Sequence, residues 1–167
     1  MDQRARPTAR SRRLARNGNG ACGDDRRRAA QLRREPAVFV APRPLGPLLF
    51  EPDPAIVRSG GIARLCEKHG LAPVSEGIAY LTGEAVPPHC AAFEVLDVVA
   101  PEAKRIKRSL AAHGIGRTEV KKRGTEVDVA AMAKKLSGRG GDAGVVLFSP
   151  VLGRHRAIVA RRTAVTF

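Results

Sequence analysis

From Leu48 onward, short apolar runs alternate with amphipathic stretches and turn residues, whereas the first 36 residues show neither a helical nor a strand period. Leu48-Leu49-Phe50 reads as a short strand. Asp53, with Pro54 at the first helical position, starts a helix predicted to run to about His69, where Gly70 supplies the left-handed closing residue. Gly60-Gly61 in its middle predicts a kink or a close packing contact. A strand follows near Gly77–Leu81, and Phe93–Val99 reads as another. Pro101 opens a second helix that ends at Gly114. Arg117–Val127 reads as a strand or hairpin arm, and Asp128 caps a third helix over Val129–Leu136. Val145-Val146-Leu147-Phe148 is continuously apolar, as in a strand buried on both faces. Arg156–Arg161 is the last strand. The order β-α-β-β-α-β-α-β-β predicts an α/β layered sandwich with a mixed sheet and about three helices, over residues 48–164.

Residues 1–36 carry eleven Arg and four acids. Their few apolar positions are mostly Ala, too little to offset the entropy of ordering, so this stretch reads as a disordered basic tail. Pro36, Pro42, Pro44 and Pro47 mark residues 37–47 as a Pro-rich linker.

Charge changes the picture most. The net charge is +14, which suits nucleic acid or an anionic membrane surface. No apolar stretch approaches a membrane span and no apolar run follows the basic start, so no membrane partner is expected. Three separated cysteines make no disulfide framework, and a cytoplasmic protein is the simplest reading. Aromatic residues are 4% of the chain, with no Trp, so no row of rings is available for stacking unpaired bases.

The second helix concentrates the charge. Ala103, Ile106, Leu110 and His113 fall on one side. Lys104, Lys107 and Arg108, with Arg105 at the margin, fall on the other. Lys121, Lys122 and Arg123 follow on the next strand, where Lys121 and Arg123 share a face and Lys122 points the other way. A cation that neutralises a phosphate releases condensed counterions, and cations on ordered elements keep a fixed spacing. Lys104, Lys107, Arg108, Lys121, Lys122 and Arg123 are therefore the candidate phosphate contacts. A merely solvated helix face is the plainer explanation of the same pattern.

Other chemistry fits less well. The Gly138–Gly144 loop follows a helix and precedes a strand, the reverse of a phosphate loop. Cys66, His69, His89 and Cys90 match no common zinc spacing. A Cys90–His113 nucleophile pair has no local support. Glu119 and Glu126 beside a basic strand read as ion-pair partners before they read as catalytic acids.

Four segments in order carry a resemblance: Leu45–Gly60, Ile78–Thr82, Phe93–Leu96, and Gly114–Gly124 followed by Val127-Asp128. Together they resemble the THUMP-like domain found at the C-terminus of certain bacterial class I S-adenosylmethionine-dependent methyltransferases, over roughly 120 residues. The resemblance implies an RNA-binding α/β module associated with a methyltransferase, this chain being a fragment, a split gene product or a stand-alone module. It also admits a docking domain that packs on the methyltransferase without touching RNA. The chain departs from the family upstream, where the tail stands in place of the catalytic domain. No glycine-rich βα turn with a following acidic residue is present. No catalytic residue, metal or small-molecule substrate is therefore expected in this chain, and S-adenosylmethionine is expected only in the associated catalytic domain.

Overall fold

The computed structural model describes residues 39–163, and the predicted disordered tail lies outside them. Four helices and seven strands form among the described residues. In chain order they are β1 (Leu48–Pro52), α1 (Pro54–Arg58), α2 (Ile62–His69), β2 (Ala72–Pro73), β3 (Leu81–Thr82), β4 (Cys90–Val99), α3 (Ala103–Ala112), β5 (Ile115–Lys122), α4 (Val129–Leu136), β6 (Asp142–Val151) and β7 (Arg154–Arg162). The strands make one mixed sheet in the order β2-β3-β1-β4-β7-β6-β5. Only β5 and β6 pair in parallel, and α4 makes the crossover that a parallel pair requires. The predicted α/β layering with a mixed sheet is what the chain forms.

Three local expectations change. The helix predicted over 53–69 is two helices. Asp53 caps the first, its carboxylate accepting from the Ala55 amide at 2.7 Å. Gly60 then takes a φ of +73°, which no α-helix accommodates, so the chain breaks where a kink was expected. The predicted Gly77–Leu81 strand is mostly loop. Only Leu81-Thr82 pairs with β1, and the Val74 amide donates to the Tyr80 carbonyl across a tight return at Gly77. Finally, β5 begins at Ile115 and ends at Lys122, earlier than the predicted arm at both ends. The third predicted helix stands as read, with the Asp128 carboxylate accepting from the Ala131 amide at 3.0 Å.

Strand alternation sorts the core into two faces. One face carries α3 and α4 over Ile115, Val120, Val146, Phe148, Ala157 and Val159. Further along the sheet, α2 lies over Phe50, Cys90 and Ala92. The opposite face gathers Leu49, Phe93, Val145, Leu147, Ile158 and Ala160, and it is closed by Val74 and Tyr80 from the β2–β3 loop. That loop is fastened to the β6–β7 turn: the Leu152 amide donates to the Val74 carbonyl at 2.8 Å, and the Gly153 amide to Ser75 Oγ at 3.0 Å. Val145–Phe148 are all buried because helices cover one side of β6 and the loop face covers the other. Residues 39–47 form no helix or strand. Arg43 nevertheless donates to the Gly70 carbonyl at 2.6 Å, and the Gly46 amide to Thr82 Oγ1 at 3.0 Å. No helix among the described residues is long and apolar enough to cross a membrane.

The α4–β6 loop lies against the start of β5. Gly138 donates to the Gly116 carbonyl, and a methyl group on Gly116 would overlap the Gly140 backbone. Gly116→Ala should therefore destabilise the fold by about 1–3 kcal/mol in urea unfolding, the scale of overpacking. Gly141→Ala meets open space and should change stability by less than about 0.5 kcal/mol. Equal effects of the two substitutions would contradict this packing. The chain's single tyrosine gives a second check. Burial first, then the nearby Glu51 carboxylate, pushes the Tyr80 hydroxyl up to about 12 against the pull of Arg123. The neutral phenol is thus favoured by folding. Its contribution is fully present below the unfolded value near 10 and is lost as pH rises through about 12. Tyrosinate absorbance should appear only above pH 11 while circular dichroism still shows a folded chain, and ionisation near pH 10 in the folded state would contradict the burial.

Candidate nucleic-acid interface

Helix α3 presents its charges as its periodicity requires. Ile106 and Leu110 are buried against the sheet, and Lys104, Arg105, Lys107 and Arg108 are exposed. Ser109 is also buried, donating to the Asp97 carboxylate at 2.6 Å, a contact that anchors the helix to β4. Arg105 is held by Glu102 at 3.3 Å, with both side chains largely in water. Lys104, Lys107 and Arg108 make no ion pair with another described residue. Lys134 and Lys135, in the last turn of the neighbouring α4, are exposed as well. The helix periodicity placed them there, but their position also complements the helix dipole, so nothing in the sequence singled them out as contacts.

The candidate cations on β5 separate. Lys122 is opposite Phe148 and Lys121 opposite Leu147, so they project to different faces. Lys122 is exposed on the helix-bearing side, with α3. Lys121 and Arg123 lie on the loop-bearing side, out of reach of the α3 cations. Lys104, Lys107, Arg108 and Lys122 therefore lie on the helix-bearing side of the sheet, and Lys121 and Arg123 on the other.

On that second face the charges are paired. Lys121 Nζ lies 2.6 Å from Glu51 Oε2 and 3.8 Å from Glu119 Oε1. Arg123 Nη2 lies 3.7 Å from Glu51 Oε1, and Arg162 Nη2 lies 3.0 Å from Glu119 Oε2. Aromatic rings back all three cations. Arg123 stands 5.1 Å from the Tyr80 ring centre, while Lys121 and Arg162 stand 6.0 and 5.2 Å from that of Phe93. Glu119 is an ion-pair partner, as its place beside the basic strand suggests. Its partner Arg162 lies two strands away on β7, so the pair spans β6. Glu51 had no signal in the sequence, because its partners lie about seventy residues downstream.

Glu51, Lys121, Arg123 and Arg162 line a cleft of about 800 Å³ with Asp53, His89, Cys90 and Thr163. Its polar groups are incompletely partnered: Arg123 Nε and Thr163 Oγ1 are buried without a hydrogen-bond partner, as is the hydroxyl of Tyr80, whose ring Arg123 covers. His89, at the rim, has a φ of +60°, and its carbonyl accepts from the Asp53 amide at 2.9 Å. Cys90 and Cys66 share the cluster under α2. Burial pushes the Cys90 thiol up to about 11, helped by Cys66 and Asp53, and burial also raises Cys66 against the pull of Arg43. Both are therefore protonated thiols near neutral pH, poor as nucleophiles or metal ligands. His113 ends α3, where its carbonyl accepts from Arg161 at 2.9 Å, well away from that cluster.

The segment that supplies these cations also carries the likeness to known proteins. A family model described as THUMP domain-like matches residues 90–162, from the start of β4 to the end of β7. Proteins named as uncharacterized S-adenosylmethionine-dependent methyltransferases in two strains of Mycobacterium tuberculosis, CDC 1551 and H37Rv, are each 37% identical to the chain over 98 residues. That match takes in 59% of this chain and 27% of each relative, so the chain spans about a quarter of their length. The crystal structure of a Porphyromonas gingivalis W83 protein named as a methyltransferase superposes with a TM-score of 0.62. It covers 77% of this chain and 32% of the other at 12% identity, a likeness of fold. Residues 90–162 thus match the THUMP domain-like family model, and the chain is similar over 98 residues to part of proteins named as S-adenosylmethionine-dependent methyltransferases.

Proposed function

We propose that this chain is an RNA-binding module serving an S-adenosylmethionine-dependent methyltransferase, and that RNA lies against the helix-bearing side. The observation that carries this reading is the row Lys104, Lys107 and Arg108 on α3, exposed and without acidic partners among the described residues, with Lys122 projecting to the same side of the sheet. Helix and strand hold these ammonium and guanidinium groups at fixed spacings, as a phosphate backbone requires. Lys134 and Lys135 extend the same side over α4. Phe39 is the exposed large aromatic among the described residues, and it precedes β1, away from these helices in sequence. Binding by this surface therefore rests on phosphate contacts and shape, without stacked bases. The methyltransferase context comes from the relatives' names, and the cofactor would belong to the catalytic part of such a system.

The test uses the full chain and a mixed RNA pool over a range of salt. The double variant Lys104→Glu with Lys107→Glu should bind more weakly and lower the slope of log affinity against log salt by about two, one unit for each phosphate no longer neutralised. An unchanged affinity and slope would overturn the reading and favour the solvated-face explanation. Co-purification with a methyltransferase, with no RNA bound, would instead point to a docking domain.

A further inference from the structure

We propose that the cleft on the loop-bearing face is a binding site for the phosphate monoester of a nucleotide, with Glu51 as the internal anion that a ligand displaces. The choice of a nucleotide phosphate over other oxyanions rests on the RNA-binding reading, while the site itself rests on its own geometry.

Lys121, Arg123 and Arg162 converge on the cleft, against Glu51 and Asp53 among its lining groups. Asp53 already uses a carboxylate oxygen to cap α1. Glu51 therefore serves two cations, and it serves them unequally. It lies at hydrogen-bond distance from Lys121, but 3.7 Å from Arg123 without a hydrogen bond. Arg123 Nε and Thr163 Oγ1 remain buried and unpartnered in the wall. A buried donor without an acceptor is costly, and few native groups are left so. Glu119 pairs with Arg162 and stands 3.8 Å from Lys121, so Glu51 and Glu119 together still leave Arg123 Nε and Thr163 Oγ1 without an acceptor. A phosphate monoester brings three terminal oxygens and up to two negative charges, and it can accept from a guanidinium fork, an ammonium and a hydroxyl at once.

The cations are also positioned before any ligand arrives. Phe93 lies behind Lys121 and Arg162, and Tyr80 behind Arg123. These contacts limit the rotamers the long side chains can adopt, so less entropy is lost on binding. The cleft, at about 800 Å³, is far larger than a phosphate ion and has the dimensions of a small-ligand pocket. There is room for the sugar and base attached to the phosphate. The same rings are covered by the cations, so the site reads the phosphate and does not stack the base.

The ordinary alternative is a purely structural ion-pair network. The two readings differ in sign at Glu51. In a structural network, removing its charge only weakens the fold. In a phosphate site, the same change removes the competitor and tightens binding. The measurement follows the arginine Nε–H signals of the full chain by NMR during titration with inorganic phosphate, adenosine monophosphate, and an oligonucleotide with either a 5′-phosphate or a 5′-hydroxyl. Adenosine monophosphate should shift the Arg123 and Arg162 signals saturably. Glu51→Gln should bind it about tenfold tighter and Arg162→Gln about tenfold more weakly, the scale of one charged hydrogen bond. Preference for the 5′-phosphorylated oligonucleotide would identify an RNA end as the source. Equal binding of the two oligonucleotides, with adenosine monophosphate still bound, would identify a free nucleotide. Signals that stay in place with phosphate and adenosine monophosphate, or weaker binding by a folded Glu51→Gln, would overturn the proposal. If Glu51→Gln fails to fold, an unchanged affinity in Arg162→Gln overturns it. RNA binding abolished on reversing Lys104 and Lys107 bears on the helix-side reading alone; RNA binding unchanged by that reversal, with the Arg123 shift intact, would overturn the helix-side reading and leave this one standing.

Discussion

The contact on which the arrangement of this molecule turns is Lys121 with Glu51. β1 and β5 are four strand spacings apart in the sheet. At about 4.8 Å per spacing a flat sheet would separate them by roughly 19 Å, more than the two side chains together can span. Nζ and Oε2 nevertheless lie 2.6 Å apart. The sheet must therefore curl toward the loop-bearing face, as strand twist accumulated over several strands allows. The concavity is filled by Leu49, Phe93, Leu147, Ile158 and Tyr80, and its charged end is the cleft. One ion pair thus reports the curvature of the whole sheet, and the curvature gathers residues from distant parts of the chain into one wall.

The same curvature explains why the basic residues divide. All the helices that cover core lie on the convex side, where a wide surface can hold α2, α3 and α4 beside one another. Cations on the outside of α3 face water over a broad, open surface, which suits an extended polyanion. Cations that β5 sends to the concave side meet rings and carboxylates in a confined space, where a charge interacts more strongly because less water screens it. Lys121 and Lys122 are adjacent in sequence, yet one belongs to each setting. Charge density along a chain therefore overstates how many cations can meet one partner.

Much of the architecture was legible because it rests on local signals. Asp128 before an apolar period marks α4, and its side chain makes the capping bond. The run from Val145 to Phe148 marks a strand covered on both sides, and β6 sits between β5 and β7 under two core layers. The periodicity of α3 gave both its buried and its charged side, because one face had to pack. What was not legible depends on long-range packing. Gly60-Gly61 looked like a kink, and only the φ of +73° at Gly60 makes it a break. The apolar stretch Ile78-Ala79-Tyr80-Leu81 read as a strand, but Ile78 and Tyr80 are apolar because they pack into the concave face, while Leu81, which pairs with Phe50, is buried in the cluster under α2. Glu51 beside Phe50 looked like an ordinary strand residue. Its role depends on Lys121 and Arg123, which no local pattern connects to it.

The boundary of the family match sharpens the point about long-range assembly. Residues 90–162 supply β4 through β7, the helices α3 and α4, and the cations Lys121, Arg123 and Arg162. Glu51, Asp53 and Tyr80 all precede that segment, and Thr163 follows it. The helix-side surface could therefore be built by the matched segment alone. The cleft could not: without β1 there is no Glu51, and without the β2–β3 loop there is no ring behind Arg123. β1 pairs along its full length with β4, from Leu48 opposite Glu94 to Pro52 opposite Cys90, so the preceding elements extend the same sheet. The physical unit that carries both surfaces is accordingly the described region as a whole, with β1 and the loop after β2 as the parts that turn a paired row of charges into a walled site.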